Sequence, residues 1–315
     1  MTRSTSPPVA VPGRPSFAGA PGRTVAANLI TSLRPGQWTK NLLVFAGVLF
    51  GQRLLDPAAV GRSLEAFAIF CALSGAVYLI NDVADRDQDR LHPLKATRPI
   101  ASGALPVSTA IGAAIALLVA ALGASFAIGV AFAGVAAGYV ALQALYSGPL
   151  KHMVILDALT LATGFVLRAV AGAVAVDVAI SHWLLVCTLL LALFIALAKR
   201  RHELVLLADE ASSHRRILGE YSAYLLDQMI AIVAASTLIA YIFYTVSPET
   251  QEKFGTPWLG ATIPFPLYGI FRYLYLVHKR EGGGSPADLL LTDRPLLVCV
   301  ALWAVAVALI IYRPV

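Results

Sequence analysis

Long apolar runs separated by short polar connections set the pattern of this chain. From Arg98 to Lys151 no charged residue intervenes, a run more than twice the ~20 residues one crossing helix needs, so it is read as two helices joined by a tight turn near Gly123–Ser125. Further runs with little or no charge lie at 63–81, 154–176, 181–198, 228–248, 258–278 and 295–312. A weaker apolar stretch at 36–54, whose charge-free core is short, completes the set. The expectation is an all-α, polytopic membrane protein with about nine transmembrane helices.

Composition agrees. Hydrophobic residues make up 58% of the chain and charged residues 13%, more apolar surface than a soluble fold can cover. Lysine and arginine then set the orientation. With the N-terminus and the 2–3, 4–5, 6–7 and 8–9 connections on one side, that side holds 18 of the 24 cations, from Arg3 to Arg294, and the other holds only Arg53, Arg62, Lys253 and Arg313. The crowded side is read as cytoplasmic, with the N-terminus there and the membrane an inner, cytoplasmic one. Topology thus accounts for the net charge of +6, and no cationic patch interleaved with aromatics points to nucleic acid. Residues 1–25, rich in Pro, Gly and Ser, are expected to form a disordered cytoplasmic tail ahead of a single transmembrane domain, 26–315. Cys71, Cys187 and Cys299 fall inside spans without metal-ligand spacing and are read as packing residues.

Candidate chemistry gathers in "VYLINDVADRDQDRLHPLKATRPIASG", residues 77–103. On a helix Asn81, Asp85 and Asp89 drift only 40° per step and form one stripe, with Asp82 beside it. A solvated helix end would explain the charges blandly. An Asn–Asp pair directly on the apolar run "CALSGAVYLI" argues instead for groups facing a bundle interior. Carboxylates without histidine or cysteine, beside several cations, suit Mg²⁺ bridging protein oxygens to phosphate, with Asn81, Asp82, Asp85 and Asp89 as its ligands.

"NDVADRDQDRLHP" resembles the N-D-x-x-D-x-x-x-D motif of the UbiA-type intramembrane prenyltransferase superfamily. The resemblance implies a transmembrane bundle around a central cavity open to the cytoplasm, with Mg²⁺-diphosphate bound at its mouth. "RPGQWTKNLLVFA", "HPLKATRPIASG", "YSGPLKH", "LRAVAGAVA", "AKRRHEL" and "SPADLLLTDRPLL" are together similar to the branch containing decaprenyl-phosphate phosphoribosyltransferase. That branch moves a 5-phosphoribosyl group from phosphoribosyl pyrophosphate (PRPP) to a polyprenyl phosphate. Aromatic prenyltransferases carry a second acidic motif in the 6–7 connection, whereas this chain has "KRRHELVLLADEASSHRR" there, with no D-x-x-x-D.

Cations suit two phosphate-bearing substrates. Lys95 and Arg98 follow the acidic motif. Lys151, near Tyr146 at the turn into span five, is either a phosphate clamp or a topology anchor. Arg168, inside that span, either faces a polar cavity or pairs with another helix. Asp157 lies eleven residues earlier on nearly the same face, about 16 Å away, and would contact ribose hydroxyls or position a second metal. The resemblance raises Lys199 and Arg201 at the end of span six as donor-phosphate ligands. Lys40, with Arg34, would bind the lipid phosphate or belong to an aromatic–basic belt. His92, His152 and His202 receive no metal or general-base role.

A polyprenyl phosphate is already an anionic nucleophile, so catalysis reduces to neutralising two anionic reactants, aligning them and stabilising pyrophosphate as it leaves; Asp82, Asp85, Asp157 and Lys151 are the candidate catalytic residues. A prenyltransferase acting on an aromatic acceptor is the alternative. A transporter, with charge near mid-membrane, fits least. Sequence leaves a homo-oligomer open.

Overall fold

The computed structural model describes residues 24–91, 95–179, 181–207, 219–279, 289 and 292–312. Most of the expected tail (1–23), His92 and the part of the 6–7 connection at 208–216 lie outside the described residues. Every element among the described residues is helical: α1 (Val25–Ser32), a 3₁₀ segment (Pro35–Phe45), α2 (Ala46–Phe50), α3 (Pro57–Ala84), α4 (Arg86–Leu91), α5 (Val107–Ile128), α6 (Val130–Ser147), a 3₁₀ turn (Leu150–His152), α7 (Leu156–Ala175), α8 (His182–Leu207), α9 (Ala223–Val246), α10 (Pro248–Phe254), a 3₁₀ turn (Trp258–Thr262), α11 (Pro264–Lys279) and α12 (Arg294–Ile311). Seven of these are long and apolar enough to cross a membrane: α3, α5, α6, α7, α8, α9 and α12.

Capping chemistry fixes several helix starts. Asp56 accepts from the Ala58 and Ala59 N–H groups with Pro57 opening α3, Ser222 accepts from Leu225 N–H ahead of α9, and Asp293 accepts from Leu296 N–H ahead of α12; each satisfies amides that a helix N-terminus leaves unpaired.

Two helices lie inside the bundle. The apolar stretches of α3 and α7 are 61% and 56% buried, against 17–33% for the other five, whose outward faces suit lipid. On α5 the exposed Ile111, Ile115 and Val119 follow four-residue steps and form such a face. Phe70, Leu73, Phe132 and Tyr139 build the core joining α3, α6 and α7, with Phe70 and Phe132 edge to face at 6.0 Å. Phe194, Leu226, Ile230, Tyr273 and Leu296 build a second core joining α8, α9, α11 and α12. α7 contacts both halves and the N-terminal 3₁₀ segment.

That N-terminal contact is backbone on backbone. A Cβ on Gly172 would lie 1.8 Å from the Val44 carbonyl oxygen, and one on Gly47 would lie 2.4 Å from the Gly172 carbonyl carbon. Only glycine permits such an approach.

Three expectations shift. The turn placed near Gly123–Ser125 falls at Gly129, because Ser125 satisfies its hydroxyl inside the helix on the Ala121 carbonyl at 2.8 Å, while Gly129 adopts φ 155°, ψ 160° and breaks the chain's course. The stretch 36–54 is no single α-helix but the 3₁₀ segment followed by α2. Its rise is still about 30 Å, since 3₁₀ winding gains ~2.0 Å per residue against ~1.5 Å in an α-helix. The stretch 258–278 divides into a 3₁₀ turn and the 16-residue α11.

Candidate active site

One end of the bundle collects the polar residues. The C-terminal ends of α3, α6 and α8, the N-terminal ends of α7 and α9, and the Arg34 corner all meet there, as the contacts below show.

α3 ends at Ala84, and Asp85 caps it with its N–H on the Asn81 carbonyl at 2.8 Å. α4 follows directly, with the Asp89 N–H on the Asp85 carbonyl at 2.8 Å. The acidic stripe expected of one helix is divided between two sets of partners. Asn81 accepts from the Ser147 hydroxyl at 2.5 Å and Asp85 accepts from Lys151 Nζ at 3.1 Å, so this pair faces the end of α6 and the turn after it. Asp82 and Asp89, 4% and 3% exposed, share Arg98 instead, whose Nη1 lies 3.1 Å from Asp82 Oδ1 and 2.6 Å from Asp89 Oδ2. Arg34 Nη2 also donates to Asp82 Oδ1, and Lys95 Nζ stands 3.9 Å from Asp89.

Arg34 reaches this position from a left-handed backbone, φ 54° and ψ 62°, with its guanidinium 4.9 Å over the Tyr78 ring one turn before Asp82. A non-glycine residue in that region costs of order 1 kcal/mol and persists where surrounding contacts hold it.

A second cluster adjoins the first through α6, where Tyr146 neighbours Ser147. Asp157 is fully buried, and its two oxygens are taken by Arg200 Nε at 2.6 Å and the Tyr221 hydroxyl at 3.1 Å. Arg200, 2% exposed, also donates to Glu203 at 2.6 Å and reaches the Tyr146 hydroxyl at 3.4 Å. Tyr221 in turn accepts from the Ile155 N–H at 2.7 Å, where φ is 70°. Burial pushes the Tyr221 phenol above its ordinary range, which keeps it a donor.

The remaining candidates are dispersed. Arg201 points to α9 and pairs with Asp227 at 2.5 Å, and His278 of α11 joins the same carboxylate at 3.2 Å. Lys199 lies one turn from Glu203, 3.9 Å away. Arg168 shares a helix with Asp157 but not a partner. Its guanidinium donates to Asn41 Oδ1 at 2.7 Å, the Gly164 carbonyl at 2.8 Å and the Tyr139 hydroxyl at 2.8 Å, which fastens the 3₁₀ segment to α6 and α7. Lys40 lies on that 3₁₀ segment, half-buried. Sequence reasoning set Arg200 below its neighbours and passed over Tyr221; adjacent cations at a helix end carry no mark of which one turns inward, and a lone tyrosine before a helix carries no mark at all.

Among the described residues no three His, Cys, Asp or Glu side chains converge on a ready-made metal position. The chemistry of the donor set nevertheless fits Mg²⁺. All four candidates offer hard oxygens, and a guanidinium nitrogen already sits between Asp82 and Asp89, where positive charge is wanted.

A helical membrane bundle with an acidic motif at one end, ringed by cations and hydroxyls, defines an intramembrane transferase, and the chain belongs to the UbiA prenyltransferase family, whose model matches residues 41–291. Decaprenyl-phosphate phosphoribosyltransferase of Corynebacterium glutamicum is 35% identical, covering 93% of this chain and 89% of its own. The protein of the same name from Mycolicibacterium smegmatis is 34% identical, covering 93% and 95%. Among solved structures, a UbiA homolog from Archaeoglobus fulgidus bound to DMAPP and Mg²⁺ superposes with a TM-score of 0.70 at 21% identity, covering 91% of this chain and all of that one.

Proposed function

We propose that this chain transfers a 5-phosphoribosyl group from PRPP to a long-chain polyprenyl phosphate, releasing pyrophosphate, with Mg²⁺ as cofactor and with the site on the cytoplasmic side of the inner membrane. The observation that carries the reading is the cationic ring around the acidic motif: Arg34, Lys95, Arg98 and Lys151 each contact one of its carboxylates, and no second acidic motif stands in the 6–7 connection. The likeness to phosphoribosyltransferases over nearly the whole chain supports the same donor and acceptor.

The lipid phosphate oxygen forms a bond to the anomeric carbon as the bond from that carbon to pyrophosphate breaks. The nucleophile is already ionised, so no base is needed. Asn81, Asp82, Asp85 and Asp89 would hold Mg²⁺, which supplies charge neutralisation to the departing pyrophosphate. Lys95, Arg98 and Lys151 close on donor phosphates, since they already reach the acidic motif, the first two from the connection between α4 and α5 and the third from the turn after α6. Tyr146 reaches the same end from α6. Lys199 continues the cationic surface on α8, and Lys40 faces the acceptor lipid phosphate from the 3₁₀ segment.

Asp157 is enclosed by Arg200 and Tyr221, so it acts as a positioning residue that fixes the entry of α7 against the end of α8. Arg168 does the same for the 3₁₀ segment that presents Arg34 and Lys40. Arg201, turned toward Asp227, is the weakest of the donor-phosphate candidates.

The test gives purified protein Mg²⁺ and a polyprenyl phosphate, then compares labelled PRPP with a labelled isoprenyl diphosphate offered beside an aromatic acid. Label entering the lipid phase from PRPP, and lost with EDTA, establishes the reading. Transfer only from the isoprenyl diphosphate replaces it with aromatic prenylation, the activity that the family at large would supply.

A further inference from the structure

Arg98 is carried by the connection between α4 and α5, and residues 95–106 of that connection form neither helix nor strand. The coil is nevertheless closed on itself. The Ser102 N–H bonds to the Arg98 carbonyl at 2.9 Å and the Leu105 N–H to the Pro99 carbonyl at 2.8 Å, and Gly103 takes the left-handed conformation, φ 84°, within that closure. Ile100 and Leu105 are buried beneath it, in one cluster with Leu79 of α3 and with Leu29 and Leu33 of α1 and its end. A loop packed by its own side chains in this way holds a fixed shape, so the position of Arg98 depends on how the whole coil is seated.

Two side chains from neighbouring elements seat it. Arg90 Nε of α4 donates to the Ala101 carbonyl at 2.9 Å, and Asn28 Nδ2 of α1 donates to the Ala104 carbonyl at 3.1 Å. Arg90 is exposed, whereas Asn28 is 6% exposed, and a buried amide is costly unless it is bonded. α1 itself is pressed against α3 where a side chain is missing: a Cβ on Gly75 would lie 3.0 Å from Leu33 Cδ2. α1 ends at Ser32 and the chain reaches Arg34 two residues later. Arg34 and Arg98 then donate to the same oxygen, Asp82 Oδ1. The Asn28–Ala104 bond thus joins the two segments that deliver these cations.

We propose that Asn28 is a positioning residue for the transfer: by fastening α1 to the 95–106 coil it fixes Arg98 against Arg34 and thereby sets the affinity for the anionic donor, although it is itself buried. This rests on the donor-binding role given to Arg98 above and deepens it by naming what holds Arg98 in place. The path is continuous, from the Asn28 amide to the Ala104 carbonyl, from the adjoining Leu105 N–H across the coil to the Pro99 carbonyl, and from Pro99 to its neighbour Arg98. A guanidinium binds anions through a rigid fork, so a small change in its seat costs more than it would for a diffuse charge. Asn28 carries no charge and lies outside the acidic motif, which is why neither composition nor spacing marks it.

The test is steady-state kinetics of the full-length protein in detergent, with the donor varied at saturating acceptor. Asn28→Leu keeps the approximate shape of the side chain and removes its N–H; KM for the donor is expected to rise about fivefold or more while kcat stays within about twofold of wild type. Arg98→Gln raises KM by itself, and adding Asn28→Leu to it is expected to raise KM by less than about twofold further, because the residue that Asn28 places is gone. Thr31→Val, on the exposed side of the same helix, removes a hydroxyl that bonds the Ala27 carbonyl within α1 and should leave both constants within about twofold of wild type. A KM for Asn28→Leu within about twofold of wild type, or an effect of full size in the Arg98→Gln background, overturns the proposal. Where Asn28→Leu does not fold, Asn28→Ser gives the same comparison: its hydroxyl is too short to reach Ala104 and bonds back within α1, as Ser32 does to the Asn28 carbonyl at 2.9 Å. The series uses whichever donor passes label in the transfer test above, so failure of the phosphoribosyl reading changes that donor and leaves the ratios among the variants in place.

Discussion

Arg200 and Arg201 are consecutive, both are paired, and they should respond to the same substitution in opposite degree. Arg200→Met removes a guanidinium that is 2% exposed from Asp157, which is fully buried. Asp157 would keep only the Tyr221 hydroxyl at 3.1 Å, and stranding a buried charge in this way costs about 3–5 kcal/mol. Arg201→Met breaks a contact whose two side chains are 17% and 36% exposed. Solvent screening brings that loss to about 1 kcal/mol or less. Unfolding in detergent followed by intrinsic fluorescence against denaturant compares the two variants with wild type. The double variant Asp157→Asn/Arg200→Met should recover part of the loss, since neutralising the stranded carboxylate removes most of its desolvation cost, giving a coupling of about 1–3 kcal/mol between the positions. Equal effects of Arg200→Met and Arg201→Met, or a loss under about 1 kcal/mol for Arg200→Met, would refute the claim that Asp157 and Arg200 form a buried structural pair.

Other outcomes follow from the same geometry. Asp82→Asn or Asp85→Asn should abolish turnover while each variant elutes and unfolds like wild type; near-normal activity in both would overturn the metal-site assignment. Gly172→Ala should sharply lower the yield of folded protein and its unfolding midpoint, because the added methyl falls 1.8 Å from the Val44 carbonyl oxygen and cannot be accommodated by a side-chain rotation. Tyr221→Phe should cost about 1 kcal/mol by removing one donor from Asp157. The raised Tyr221 pKa fixes the sign of the pH effect: burial disfavours the phenolate in the fold, so the stabilisation is fully present below the ordinary value of 10.0 and is lost as pH climbs through the higher folded value. Stability measured from pH 7 to 11 should thus fall more steeply at the alkaline end in wild type than in Tyr221→Phe.

Much of the architecture was legible because the bilayer imposes a coarse rule. A charge-free run such as 99–150 has no alternative to two helices, and the structure supplies α5 and α6 in that interval. The turn between them was misplaced because Gly123 and Ser125 carry the outward marks of a turn, whereas the break depends on the backbone that Gly129 alone adopts there. The 3₁₀ winding of Pro35–Phe45 carries no mark in the local pattern, and the segment's Val44 carbonyl packs on Gly172, far away in sequence. At the site, residue types were readable and partners were not. Spacing placed Asn81, Asp85 and Asp89 on one stripe, correct for an unbroken helix. Asp89 shares Arg98 with Asp82 while Asp85 takes Lys151, and which cation meets which acid is decided by helix ends and connections brought together only in the bundle. Asp157 and Arg168 share a face as expected, yet α8 offers Arg200 to the first and the 3₁₀ segment offers Asn41 to the second.

The crossing of Gly47 and Gly172 has a bearing on how this chain can diverge. Most close contacts between helices are negotiated by side chains, so a larger residue on one helix can be offset over generations by a smaller one opposite. Here the opposing surface is main chain, the Val44 carbonyl on one side and the Gly172 carbonyl on the other, and no substitution elsewhere shrinks a peptide group. The two positions are thus barred from the trade of volume that lets other sites drift in tandem. Descendants of this sequence should vary freely along the lipid-facing stripe of α5 while holding both glycines, or else lose the crossing together with the segment that carries Arg34 and Lys40.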